Sequence, residues 1–181
     1  ILCFYDGFEG LTFEYLSSFL IFSPFASSEA AAARMSSILS GSYTLVRGVA
    51  IVVVRWMSPK SFIILDTLLM FVGVTLVYYS MDSTDTDAEN NIGLVIGIIL
   101  WGAGMSTFLP SIYSYLEEHI RMTDNVCSIL HFSCAILTPF EPILIGKFLL
   151  TLPEILLYVC YASLAITAVA FSAFECTKSL S

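Results

Sequence analysis

Apolar residues in this chain come in long blocks, not in alternation. Six blocks, at about 1–22, 34–54, 62–80, 92–116, 125–149 and 154–174, predict helices. Each is close to the roughly 20 apolar residues that a helix needs to cross the hydrocarbon core of a bilayer. Backbone groups in lipid must pair within their own segment, which favours helices over open strands. No segment shows the period-2 pattern of a membrane barrel strand. Polar or helix-breaking residues separate the blocks: Ser23-Pro24, Arg55 to Lys60 with Pro59, an acidic run over 82–91, Glu117 to Asp124, and Leu152-Pro153-Glu154. None of these connections is long enough to form a domain. The reading is one transmembrane domain over 1–181, an all-α six-helix bundle.

Composition agrees with lipid as the solvent. The chain is 57% hydrophobic and 12% charged, whereas a soluble domain carries about 25% charged residues. The formal net charge of −8 argues against nucleic acid as a partner. Cys3, Cys127, Cys134, Cys160 and Cys176 form no CxxC pair and no zinc spacing, and four of them fall in apolar stretches. No disulfide framework, metal site or cofactor is expected. The first residue is Ile1, and Asp6, Glu9 and Glu14 interrupt the opening stretch where a signal peptide would be apolar. The chain therefore reads as a fragment that starts in or just before a helix.

Lys and Arg in short loops orient such a protein. Counting six spans, Arg55, Lys60, Arg121 and Lys178 lie on one side, which places that side and the C-terminus in the cytoplasm. The 82–91 loop then lies outside, and Lys147 and Arg34 lie toward that face.

Intramembrane polarity is unevenly shared. Span 1 carries Asp6, Glu9 and Glu14, span 2 carries Arg47, and span 3 has Asp66 near its start. Span 4 sets Trp101 among Gly97, Gly102 and Gly104; span 5 carries His131, Thr138 and Glu141; span 6 is uncharged between Glu154 and Glu175. The order polar, polar, bland is thus repeated, as in transporters built from three-helix units with a site near the midplane. The bland helices would face lipid and the others a cavity. A charge at the bilayer centre costs several kcal/mol, so it is kept where water or a partner receives it.

Asp6, Glu9 and Phe13 share a helix face, with Glu14 off it. Glu9 is read as a substrate hydrogen-bond acceptor or an ion site, against an interhelix contact. Asp6 has the same two roles, against a place near the interface. Arg47 could pair with Glu9, hold substrate or reach the interface. His131 could relay protons or simply be a satisfied donor. Trp101 is read as a stacking wall for a solute, with plain packing as its rival, and Pro110 and Pro142 as helix kinks.

Four places then carry a resemblance. They are Tyr5-Asp-Gly7-Phe-Glu9; Arg47-Gly48 leading into Arg55-Trp56-Met57-Ser58-Pro59-Lys60; Gly102-Ala-Gly104-Met-Ser-Thr-Phe108-Leu-Pro110; and Pro142-Ile-Leu-Ile-Gly146. Together they resemble helices 7–12 of a major facilitator transporter, in the branch of fucose permease-like and sodium-dependent glucose transporter-like carriers. Arg47-Gly48 reverses that branch's Gly-Arg order. The resemblance implies half of a twelve-helix fold, with the N-terminal half missing and the fragment alone inactive. It also implies alternating access around a central site in a multi-pass protein of the plasma membrane. Glu9 and Asp6 would face the cavity and couple Na+ or H+. The Arg55–Lys60 loop would pair with Glu117 or Glu118 to hold one conformation.

Three functions compete. The leading one is a carrier of a small polar molecule, with a hexose sugar first. A non-transporting scaffold or receptor derived from the carrier fold is the alternative. An enzyme is not expected, since the chain lacks HExxH, GxSxG and paired His ligands.

Overall fold

In a computed structural model, the chain is described over residues 2–23, 28–81, 91–118, 120–121, 123–137, 140–149 and 152–180, with backbone alone at 3, 134–137, 140–142, 144 and 177–180. The acidic run over 82–90, His119 and Thr138 lie outside the described residues, as do the side chains of Cys134, Glu141, Pro142 and Lys178.

The described residues form an all-α membrane protein of seven helices: α1 (Leu2–Phe22), α2 (Glu29–Val53), α3 (Pro59–Ser80), α4 (Ile92–Glu117), α5 (Asp124–Leu137), α6 (Phe140–Phe148) and α7 (Ile155–Leu180). Their starts follow local chemistry. Ser28, Ser58 and Asn91 cap α2, α3 and α4 by accepting the amides of Ala31, Ser61 and Leu94. Each cap satisfies one of the amides that a helix start leaves without a partner. Pro59 adds its fixed φ at the first position of α3, where no amide is needed.

Four helices (α2, α3, α4 and α7) are long and apolar enough to cross a membrane among the described residues. The other two expected spans, at about 1–22 and 125–149, are not among these four. α1 has 21 residues but carries Asp6, Glu9 and Glu14. The block at 125–149 is two helices, α5 and α6, of 14 and 9 residues.

The most extensive packing is α3 on α4, followed by α2 on α4; α1 packs on α2, α5 and α7, and α7 also meets α3. Glycines permit the closest approaches. A Cβ on Gly104 would lie 2.7 Å from the Asp66 carbonyl oxygen of α3, and one on Gly102 would lie 2.7 Å from the Leu39 carbonyl oxygen of α2. α3 buries one side in this packing and exposes Leu68, Phe71 and Val72 on another. Of its most apolar stretch 39% is buried, against 6% for α2. The glycine seam draws α3 onto α4, while Leu45, Val49, Ile51 and Val52 leave α2 with exposed apolar side chains. Lipid or another apolar surface must cover them.

Candidate functional site

The interface of α1 and α2 gathers the polar groups. Glu9 is partly buried, and its Oε1 accepts the Tyr43 hydroxyl at 2.9 Å. Tyr43 in turn accepts from Arg47, one helical turn further along α2. A phenol has one donor and can also accept, so Tyr43 joins a permanently charged guanidinium to the carboxylate without direct contact between them. The Arg47 guanidinium also sits 5.4 Å from the centre of the Tyr43 ring. Phe13 meets that ring edge-on, with centroids 5.3 Å apart and planes at 87°. A second link between the helices joins Ser17 and Ser36 at 2.7 Å.

Of the residues singled out by sequence, the structure therefore brings Glu9, Phe13 and Arg47 together. Asp6 lies on α1 one turn before Glu9 and is partly buried. Glu14 is exposed. Tyr43 escaped the sequence reading, which followed charges. Its signal was the i, i+4 spacing to Arg47, which puts both on one face of α2.

Trp101 is fully buried. It stacks at 6.1 Å on Phe8, and Tyr5 stacks at 4.3 Å on Phe108. Tyr5 also donates to the Met105 carbonyl at 2.7 Å, tying α1 to α4. The indole Nε1 of Trp101 has no hydrogen-bond partner among the described residues. His131 is exposed on α5, with Nδ1 3.3 Å from the Tyr113 hydroxyl.

Lys60 of α3 forms an ion pair with Glu175 of α7, which also accepts the Tyr115 hydroxyl of α4. The expected partners Glu117 and Glu118 are exposed at the end of α4, as is Arg55 beyond α2. Glu175 stands at the same end as Lys60, and Tyr161 meets Thr75 further along, so α7 runs antiparallel to α3.

A cavity of about 290 Å³ opens between α2, α3 and α4. Its walls include Arg47, Phe62, Thr107, Pro110, Ser111 and Ser114. α4 runs on through Pro110 as helix. Just behind the wall, Asp66 is buried, and the Thr107 hydroxyl lies 2.8 and 2.7 Å from its two carboxylate oxygens. The sequence reading placed Asp66 near the start of span 3; the close α3–α4 seam buries it.

In comparisons with known proteins, the chain is 26% identical over 170 residues to the mouse (Mus musculus) protein described as sodium-dependent glucose transporter 1A. The match covers 93% of this chain and 38% of that protein. No family model matches the chain, and no solved structure does.

Proposed function

We propose that this chain is the C-terminal, six-span part of a major facilitator-type carrier that moves a small polar solute, most simply a hexose, across the plasma membrane. The observation that carries the reading is the Glu9–Tyr43–Arg47 relay beside Phe13. It holds a partly buried carboxylate ready to accept a solute hydroxyl, next to aromatic faces suited to sugar C–H groups. The likeness to a protein named for sodium-dependent glucose transport supports the sugar and a coupling cation. The membrane-length helices support the setting.

In this reading α5 and α6 together make the fifth span, and α1 tolerates its acids by facing the cavity with Glu9 and Asp6. The exposed apolar side chains of α2 are covered by an N-terminal half or by lipid. The Arg55 loop and the C-terminus are cytoplasmic. Lys60, Glu175 and Tyr115 hold the ends of α3, α7 and α4 together there, so that the half rocks as one body.

Glu9→Gln in the full-length carrier tests this. Losing one hydrogen bond to a charged group costs about 1.5–3 kcal/mol, or roughly 10- to 150-fold in uptake of labelled hexose per molecule at the surface. Tyr43→Phe, which keeps the carboxylate, loses less. Undiminished uptake per Glu9→Gln molecule refutes the role.

A further inference from the structure

Asp66 is a buried acid that the Glu9 site does not use. It is 2% exposed, and its described hydrogen-bond partner is the Thr107 hydroxyl. A buried carboxylate with no cation beside it is costly unless it can take up a proton.

The ionisable groups on the helices around it are engaged elsewhere. On α4, Tyr115 is bonded to Glu175, and Tyr113 lies against His131. On α7, Glu175 is paired with Lys60 of α3, Tyr161 donates to Thr75, and Tyr158 donates to Glu154. Arg47 of α2 shares the cavity wall with Thr107 and is bonded to Tyr43. On α1, Tyr5 gives its hydrogen to the Met105 carbonyl.

Thr107 has two faces: it holds Asp66, and it lines the cavity between α2, α3 and α4. Water in that cavity would lie one hydroxyl away from the carboxylate.

We propose that Asp66 and Thr107 form a proton-binding site, separate from Glu9, that is reached from this cavity and couples proton occupancy to transport. The site deepens the carrier reading and rests on it for the coupling. Hard cations such as Ca2+ and Mg2+ take six or more oxygens. Here two side chains supply three oxygens. A proton is the cation that fits. When the carboxylate is ionised, Thr107 donates to it. When the carboxyl group has taken a proton from cavity water, its O–H donates to the Thr107 oxygen. The Thr107 hydrogen is then free to turn to the cavity, so the cavity wall changes its hydrogen bonding with each proton bound or released.

Two measurements on the full-length protein test the site. Infrared difference spectra between mildly acidic and mildly alkaline buffer should show a carboxyl carbonyl band that Asp66→Asn removes. This readout needs no transport, so it stands apart from the carrier reading. A band unchanged in Asp66→Asn overturns the proposal. In uptake assays, Asp66→Asn should bring the ratio of acidic to alkaline uptake to about unity, leaving sodium dependence as it was. An unchanged pH profile overturns the proposal, as does loss of sodium dependence with the pH profile retained, which would make this a sodium site. Should Asp66→Asn fail to reach the membrane, Thr107→Val carries the test. It should displace the pH midpoint of uptake, with Thr107→Ser restoring it; an unmoved midpoint overturns the proposal.

Discussion

Gly73 offers a direct measure of how closely α3 and α4 approach. A Cβ placed there would lie 2.6 Å from the Trp101 amide nitrogen, 2.8 Å from the Gly97 carbonyl oxygen and 2.9 Å from the Trp101 Cα. All three are backbone atoms, so no rotamer change relieves the clash. Ordinary non-bonded contacts lie at about 3.5–4.0 Å, so Gly73→Ala must open the seam by roughly 1 Å. Overpacking of this kind costs about 1–3 kcal/mol, and rigid neighbours put it in the upper part, about 2–3 kcal/mol. The added methyl returns about 0.5–1 kcal/mol by restricting the unfolded chain, leaving a net loss of about 1–2.5 kcal/mol. At Gly48 a Cβ meets nothing within 4 Å. Gly48→Ala should therefore gain about 0.5–1 kcal/mol. The assay is equilibrium unfolding of the detergent-solubilised protein. In the 181-residue chain by itself, which has two tryptophans, a Trp56→Phe background leaves Trp101, whose own backbone meets the new methyl, as the fluorescent reporter. Equal stability of Gly73→Ala and Gly48→Ala would refute the close-seam reasoning.

Two other expectations concern the cap of α4 and the orientation. Asn91 accepts the Leu94 amide at 3.1 Å and donates to the Ser80 carbonyl at 3.3 Å. Asn91→Ala should therefore cost about 1 kcal/mol and speed hydrogen exchange at Leu94 roughly fivefold; unchanged exchange there means that the cap does not hold the helix start. In a background without the native cysteines, an impermeant thiol reagent should label Asp85→Cys on intact cells and Ser58→Cys only after permeabilisation. The reverse pattern overturns the orientation.

Much of the local structure was legible in the sequence. Long apolar blocks demanded helices, because a backbone in lipid has nowhere else to pair. The sequence placed Pro59 and Asn91 in the connections before spans 3 and 4, and the structure adds that Ser58 and Asn91 cap the helices there. The i, i+3 and i+7 spacing put Asp6, Glu9 and Phe13 on one face of α1. What periodicity leaves open is the rotation of each helix against its neighbours. Tertiary packing set it, and so decided that Tyr43 bridges Arg47 to Glu9 and that Glu175 receives Lys60 across 115 positions. The same packing made Trp101 core, because the glycines beside it draw the backbones of α2 and α3 against α4. It also buried Asp66, read from sequence only as an acid near the start of span 3, against Thr107, 41 positions away. Spacing along one helix determines which residues share a face. Only the fit between helix surfaces determines what that face meets.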